Sequence, residues 1–118
     1  MDEKTTIDEL KKIVVKFRDV REWKKYHNPK DLAISISIEA AELLEYFQWK
    51  NDEEIEKMLT EKSDQVREEL ADVIIYCMNF ADVTNTDISE IVKKKIADNE
   101  KKYPPEKIKG NYKKYNEL

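Results

Sequence analysis

A single glycine, Gly110, is the feature of this chain that most restricts its fold. Tight β-hairpins and dinucleotide-binding loops need glycine where the backbone turns sharply or takes a positive φ. The chain has no glycine before residue 110, so both features are disfavoured and helix is predicted nearly everywhere. With 118 residues, the chain is long enough for one domain and too short for two. The sequence therefore predicts a single all-α domain.

Capping signals mark the first two predicted helices. Thr6 with Glu9 has the spacing of a capping box, and the apolar residues that follow recur every three or four positions. That helix is predicted to extend to about Lys25. Asn28 followed by Pro29 is typical of an N-cap and a first helical position, so a second helix is predicted to begin there.

The strand-like alternation of residues 33–38 is a conflicting signal. The run continues without a breaker into residues 39–45, which are rich in alanine, leucine and glutamate, so helix is predicted throughout. The remaining predicted helices are a short one from Asn51 to Leu59, a long one from about Ser63 to Val83, and a last one from near Thr86 to the residue before Pro104. The expected architecture is a four- to five-helix bundle over residues 1–105, followed by a basic, tyrosine-containing tail over residues 106–118. The low apolar content of that tail predicts disorder in isolation.

The charge balance restricts the partners of this protein. Lys and Arg number 22 and Asp and Glu number 26, which gives a net charge of −4. Binding to a nucleic-acid backbone needs a basic surface, so no nucleic-acid partner is expected. No apolar run reaches the about 18 residues of a membrane-spanning helix, and no signal peptide follows Met1, so we expect a cytoplasmic protein without a membrane partner. The single cysteine, Cys77, cannot form an internal disulfide and is expected in the core.

Two acidic pairs lie inside apolar runs of the chain: Glu39 with Glu42, and Glu69 with Asp72. Residues three apart on a helix lie one above the other, with Cβ atoms roughly 5–6 Å apart. Like charges about 4 Å apart repel by roughly 4 kcal/mol at an effective dielectric constant near 20. One such pair is ordinarily a solvated surface, but two pairs among apolar neighbours favour a hard cation with oxygen ligands, such as Mg²⁺.

Other metal sites fit this sequence poorly. His27 is the only histidine, so the chain cannot supply the two Glu-x-x-His motifs of a ferritin-like di-iron bundle. One histidine and one cysteine are too few for a structural zinc site.

The two acidic segments, residues 39–46 and 69–76, also resemble each other. Both contain an acid, any residue, alanine, a second acid, and then tyrosine four positions further on. If the likeness is not due to chance, the two helices pack antiparallel about a local pseudo-twofold axis. Ala41 and Ala71 would then let the two backbones approach each other.

Together with their surroundings, the four acids resemble the metal signature of the all-α nucleoside triphosphate pyrophosphohydrolases, the MazG-like superfamily. The resemblance also rests on Phe47-Gln48-Trp49-Lys50, Asp72-Val73-Ile74-Ile75-Tyr76 and the series Lys95, Asn99, Lys102, Tyr103 and Pro104. Residues 21–29 and 113–118 are similar to the dCTP pyrophosphatase branch. The resemblance implies Mg²⁺-dependent hydrolysis of a (deoxy)nucleoside triphosphate, dCTP or a related pyrimidine deoxynucleotide, to the monophosphate and pyrophosphate.

The resemblance also implies roles for the acidic residues. Glu39, Glu42, Glu69 and Asp72 would bind Mg²⁺, with Mn²⁺ as the alternative cation, and Glu39 and Glu42 would belong to the catalytic centre. Glu45 lies three residues after Glu42, so it is a candidate general base that accepts a proton from water. A solvated helix residue is the equally acceptable interpretation of Glu45.

Substrate contacts are predicted on both sides of the acids. Trp23 and Trp49 are candidate base-pocket residues, since an aromatic face stacks on any nucleobase, and His27 is the third. Core packing is the alternative for the tryptophans, and a turn residue is the alternative for His27. The resemblance implies that these three line the base pocket and that Tyr76 lies near the sugar, where it would select deoxyribose. The residues predicted to contact the triphosphate from the last helix are Lys95, Asn99, Lys102 and Tyr103; a wet helix face is the alternative for this stripe.

Two other functions remain open from the sequence. Within the enzyme class, the alternative is a house-cleaning hydrolase of damaged or noncanonical triphosphates or of dUTP. Outside it, the alternative is a noncatalytic helical interaction module. Self-association to a dimer or tetramer is expected, because apolar residues such as Ile34, Ile36 and Ile38 occupy more than one helix face and because members of the resembling family are dimers or dimers of dimers.

Overall fold

The computed structural model describes residues 1–110, and every helix or strand element assigned in that range is helical. In chain order the α-helices are α1 (Ile7–Asp19), α2 (Pro29–Glu45), α3 (Asp52–Glu61), α4 (Ser63–Val83), α5 (Ile88–Lys102) and α6 (Pro105–Ile108), with a 3₁₀ turn at Lys24–Tyr26 between α1 and α2. The predicted all-α class is confirmed. The described range holds one helix more than predicted, because the four-residue α6 forms where the sequence had suggested the start of a tail. Most of that tail, residues 111–118, lies outside the described residues.

The predicted helix starts are confirmed by their caps. The Thr6 hydroxyl accepts a hydrogen bond of 3.1 Å from the backbone N–H of Glu9. Asn28 caps α2 with Pro29 at the first helical position. The strand-like run at residues 33–38 is helical, as predicted, since it lies inside α2.

The end predicted for α1 is wrong. The helix ends at Asp19, not near Lys25, and Glu22 then takes a left-handed conformation with φ 55°. Asn28 precedes a proline and is extended, so the helix would have to stop before that residue in any case. The earlier break allows the chain to turn through Lys24–Tyr26 and place Trp23 and His27 beside α1 and α4.

Helix α4 is the element on which α1, α2 and α3 pack. The most extensive of these contacts is with α2, and the buried apolar side chains are few: Leu32, Met58, Met78 and Ala81. The expected role of Ala41 and Ala71 between the two helices is wrong, since both residues are exposed. Cys77 is also exposed rather than in the core.

By internal contacts the chain divides after Asn85, so α1–α4 form one unit and the second begins at Thr86. In the second unit, Asp87 caps α5, and its side chain accepts a hydrogen bond of 2.9 Å from the backbone N–H of Glu90. The expected boundary between a domain and a tail at residue 105 stays a prediction. Among residues 1–110, no helix combines the length and the apolar character that crossing a bilayer requires.

The capping box of α3 gives a direct test of this architecture. Asn51 accepts from the Glu54 N–H at 2.9 Å, and Glu54 accepts in return from the Asn51 N–H at 3.2 Å. We expect Asn51→Ala to lower the free energy of unfolding by about 1 kcal/mol, measured by urea denaturation. Asn51→Ser keeps an acceptor at the cap and should recover most of the loss. Equal stability of the alanine variant and the parent would contradict the assigned start of α3.

Candidate metal and nucleotide site

Helices α2 and α4 bring the two acidic pairs together. One carboxylate oxygen each from Glu39, Glu69 and Asp72 lies within 4.8 Å of the others. Glu42 lies beside this group, close enough for its carboxyl to raise the pKa values of both Glu39 and Glu69. We call these four residues the acid cluster. Their role as metal ligands stays a prediction, but their expected convergence is what the fold produces.

Helix periodicity explains the convergence. Glu39, Glu42 and Tyr46 follow one stripe of α2 at spacings of three and four, and all three are half-buried. Glu69, Asp72 and Tyr76 form the corresponding stripe of α4. Packing these two stripes towards each other brings the half-buried acids close together.

The electrostatics of the acid cluster are unfavourable in the absence of a cation. Burial raises the pKa of Glu39 to about 7, and the hydrogen bond and charge of Glu42 add to this effect, followed by the charges of Asp72 and Glu69. Burial is also the first cause of the raised pKa of Glu69, followed by Glu42. Oε2 of Glu39 and Oε2 of Glu69 are buried and have no hydrogen-bond partner within the described residues. An all-oxygen donor set with unpartnered carboxylate oxygens fits a hard cation such as Mg²⁺.

A cavity of about 390 Å³ opens beside the cluster, between α1, the segment after α1, and α4. Its lining residues are Ile13, Val14, Phe17, Arg18, Trp23, His27, Asp72, Ile75, Tyr76 and Asn79. We call it the aromatic cavity. It contains three predicted substrate residues, Trp23, His27 and Tyr76, and it reaches the cluster through Asp72. Its volume lies in the range of about 300–1,000 Å³ that is typical of small-molecule sites.

Aromatic contacts fix one wall of this cavity. The rings of Phe17 and Trp23 lie edge to face, with centroids 5.8 Å apart and an interplanar angle of 73°. The Arg21 guanidinium covers the Phe17 ring at 3.7 Å from its centroid. Trp23 is thereby held by its neighbour rather than by the core, and part of its surface stays exposed.

Trp49 does not join the aromatic cavity of this chain. It is 91% exposed and takes a left-handed backbone conformation with φ 67°. Within one chain Trp49 therefore lies apart from Trp23 and His27, and its place in a base pocket stays a prediction. The turn at Trp49 instead directs the chain from the end of α2 towards α3.

A second, more polar cavity of about 580 Å³ lies on another side of the acid cluster. Its lining residues are Glu42, Glu45, Tyr46, Lys50, Met58, Lys62 and Glu69. We call it the lysine cavity. Glu45, the candidate base, is exposed at its edge, so its position is compatible with the predicted role without testing it.

Four polar residues of these cavities escaped the sequence analysis as site residues. Lys50 and Lys62 supply cations to the lysine cavity, and their approach depends on the turns at the two ends of α3. Arg18 and Asn79 are buried in the aromatic cavity, with 2% and 4% of their surface exposed. Asn79 continues the stripe of α4 that carries the acids, so extending that stripe by one turn could have found it.

The remaining predicted substrate residues lie in the second unit. Lys95, Asn99 and Lys102 are on α5, and Tyr103 is its C-cap, with its N–H donating to the Asn99 carbonyl at 2.8 Å. Lys95 and Lys102 are exposed, whereas Asn99 and Tyr103 are half-buried. Their contact with a triphosphate stays a prediction.

Comparison with known proteins identifies relatives of this chain. The model of the MazG-like family matches residues 34–118. The dCTP pyrophosphatase 1 proteins of Rattus norvegicus and Homo sapiens are each 30% identical over 115 residues, covering 96% of this chain and 68% of the relative. The crystal structure of a pyrophosphatase from Archaeoglobus fulgidus is similar with a TM-score of 0.79 and 49% identity, covering 83% of this chain and 92% of that one.

The raised pKa of Glu39 predicts how pH affects the metal-free protein. Because the folded pKa of about 7 lies above the ordinary value of 4.5, the native state binds more protons between these pH values. The contribution of Glu39 to stability is therefore greatest below about pH 4.5 and is lost as the pH rises through 7. After chelator treatment, we expect the Tm of Glu39→Gln to fall less than the Tm of the parent as the pH is raised from 4.5 to 7, measured by circular dichroism.

The control for this comparison is Glu56→Gln, which changes an exposed glutamate of α3. It should keep the pH dependence of the parent. If Glu39→Gln and Glu56→Gln follow the parent equally, burial does not perturb Glu39 as described.

Proposed function

The chain belongs to the MazG-like family, and from this premise we propose that it hydrolyses dCTP or a related pyrimidine deoxynucleoside triphosphate to the monophosphate and pyrophosphate. The comparisons identify the enzyme class, a nucleoside triphosphate pyrophosphohydrolase. The substrate and the dependence on Mg²⁺, with Mn²⁺ as the alternative, are the proposal. The observation that carries it is that the acid cluster contributes residues to both cavities, one apolar and aromatic, the other polar and basic.

The acid cluster would hold the cation through Glu39, Glu42, Glu69 and Asp72. When bound, Mg²⁺ neutralises triphosphate oxygens and lowers the pKa of water. The residues themselves supply the positions: Asp72 faces the aromatic cavity, whereas Glu42 and Glu69 face the lysine cavity. Reacting phosphate oxygens would therefore lie at the junction of the two.

The proton released by the attacking water needs an acceptor. Glu45 lines the lysine cavity together with Glu42, and its exposed carboxylate can pass a proton on to solvent. Glu39 and Glu42 complete the catalytic group that we propose.

The nucleoside would occupy the aromatic cavity. Trp23 offers a ring face to the base, and such stacking contributes about 1–3 kcal/mol per base. Tyr76 lines this cavity and also belongs to the acid stripe of α4. The sugar of a nucleotide that spans the cavity and the acid cluster would therefore pass beside it. In this arrangement Tyr76 would pack where a 2′-hydroxyl would otherwise sit.

The triphosphate is a tetra-anion and needs cations as well as a metal. Lys50 and Lys62 are the cations that the first unit provides, on the side of Glu42 and Glu69. We propose them as the primary phosphate contacts. Lys95, Asn99, Lys102 and Tyr103 of α5 remain the second proposed set, from the resemblance of that helix.

We also propose that the protein works as a dimer or tetramer. Ile34 and Ile38 of α2 and Leu70 and Ile74 of α4 are exposed, although they lie on the two helices that form the centre of the first unit. Contiguous apolar surface ordinarily marks an interaction site. A second copy on these faces would cover them, and an assembly could also bring the exposed Trp49 to a base pocket.

The alternative functions differ in the substrate that is hydrolysed and in whether pyrophosphate is released. An enzyme acting on dUTP or on noncanonical triphosphates would share the cluster but differ in the preferred base. A noncatalytic helical module would release no pyrophosphate, and the family assignment favours the enzyme.

A nucleotide panel tests the proposed activity. We expect pyrophosphate and a monophosphate as products, a preference for dCTP, and loss of turnover when Mg²⁺ is chelated. Glu69→Gln should lower kcat/KM by at least about 100-fold, the scale of removing one group that stabilises charge at the reacting centre. Glu56→Gln makes the same chemical change outside both cavities and should leave kcat/KM as in the parent. Normal turnover in the Glu69→Gln variant would remove the acid cluster from the mechanism.

Self-association has a separate test in the apparent mass. We expect Ile38→Glu to shift the protein to a smaller species in analytical ultracentrifugation, because burying a new charge at the contact is costly. Lys57→Glu introduces the same side chain on the exposed face of α3 and should leave the mass unchanged. A parent protein that sediments as a monomer would exclude the proposed assembly.

A further inference from the structure

The aromatic cavity contains two buried polar side chains among apolar ones. Arg18 is 2% exposed and Asn79 is 4% exposed, whereas Ile13, Val14 and Phe17 line the same space. A buried amide without a hydrogen bond costs about 1–3 kcal/mol, so apolar residues would stabilise the fold better at such positions. Arg18 is paired with Asp19 and Asp82, so the side chain that calls for a polar partner in the cavity is Asn79.

The orientation of the Asn79 amide is fixed by its own helix. Its Nδ2 donates to the backbone carbonyl of Ile75 at 3.2 Å. That carbonyl can only accept, so the amide cannot rotate its oxygen into this place. Oδ1 is therefore the atom left over, and it is buried without a hydrogen-bond partner within the described residues. The cavity thus contains a hydrogen-bond acceptor of fixed position.

Two nitrogen-containing side chains, Arg18 and His27, line the cavity beside Asn79. Nε and Nη1 of Arg18 donate to Asp19 at 2.9 Å and Asp82 at 2.7 Å, which hold the guanidinium in the cavity wall. Burial lowers the pKa of His27, and the charge of Arg18 lowers it further, while the amide of Asn79 beside the ring opposes the shift. Nδ1 of His27 is also buried and unpartnered within the described residues. A base entering the cavity therefore meets the Asn79 oxygen, the Arg18 guanidinium and the His27 ring.

This pattern distinguishes the two classes of pyrimidine. Cytosine carries an exocyclic amino donor, whereas uracil and thymine carry an oxygen acceptor at the same ring position. An acceptor that cannot rotate pairs with the amino group and faces the oxygen unfavourably. Sites built to hydrogen-bond one substrate group reject the analogue that lacks it far more strongly than apolar pockets reject a size difference.

We propose that Asn79 is the specificity-determining residue of this cavity, with its Oδ1 accepting a hydrogen bond from the exocyclic amino group of a cytosine-type base. The inference rests on the nucleotide hydrolysis proposed above, and it separates dCTP from dUTP among the substrates left open there.

The test compares substrates that differ at one ring position. The kcat/KM values are measured for dCTP, dUTP and the deoxynucleoside triphosphate of 4-unsubstituted pyrimidin-2-one, which lacks only the amino group of dCTP. Binding of dCMP and dUMP is measured in parallel by titration calorimetry. We expect the parent to prefer the amino base in both assays, and Asn79→Ala to reduce this preference by roughly 10- to 100-fold.

Asn79→Asp is the matched variant, since it keeps an acceptor oxygen at nearly the same size. We expect it to retain the preference for the amino base over both analogues. Thermal denaturation of each variant shows whether it is folded, and the aspartate variant keeps the proposal falsifiable if the alanine variant is not.

Three outcomes would overturn the proposal. A parent that treats dCTP and dUTP alike, or prefers dUTP, shows that the amide does not read the base. Equal losses for all three substrates in Asn79→Ala show that Asn79 only orients His27. Loss of the preference in Asn79→Asp as well shows that an acceptor is not what matters. If no triphosphate is hydrolysed at all, the proposed activity fails, and the comparison of dCMP with dUMP still decides the role of Asn79.

Discussion

The close approach of four carboxylates between α2 and α4 is the constraint on which the site depends. Oxygens of Glu39, Glu69 and Asp72 lie within 4.8 Å of one another, with Glu42 beside them. Four carboxylates this close together are unfavourable without a cation, and the raised pKa of Glu39, about 7, reflects this. The same repulsion is relieved when a cation binds, so the strain of the metal-free state adds to the affinity for the metal. Charges this close and this buried are typical of functional positions rather than of solvated helix faces.

The early end of α1 has as much consequence as the acids. Had the helix continued to Lys25, Trp23 and His27 would have followed its helical rotation away from α4. The left-handed residue Glu22 breaks that rotation, and the 3₁₀ turn then returns both side chains to the aromatic cavity. Pro29 fixes the other end of the same connection by starting α2. A local backbone feature thus creates the wall against which a base can stack.

Local sequence signals made the starts of the helices predictable. Which apolar face of each helix packs on its own chain could not be predicted. The starts of α1, α2 and α3 could be predicted from the caps Thr6, Asn28 and Asn51, because a cap depends on neighbours three residues away. The left-handed conformation of Glu22 has no such signature, since glutamate carries no preference for it. Cys77 and Ala71 face outward because helices with apolar residues on several faces do not reveal which face packs on their own chain. The metal stripe followed from spacing, but Lys50 and Lys62 depend on how α3 folds back on α4.

The contrast between the two cavities corresponds to the two parts of a nucleotide. Phosphates are recognised by charge, which acts over distance and tolerates water, so lysines at a polar cavity suffice. A base edge is recognised by single hydrogen bonds, which discriminate only where a mismatch leaves a polar atom unpaired and cut off from water. The buried oxygen of Asn79 satisfies that condition, whereas the half-buried Lys50 and the exposed Lys62 do not. Asp72 belongs to the aromatic cavity, whereas Glu42 and Glu69 belong to the lysine cavity. Because base and phosphates are thus recognised in different cavities, the affinity for the triphosphate and the selectivity for the base can change independently in this fold.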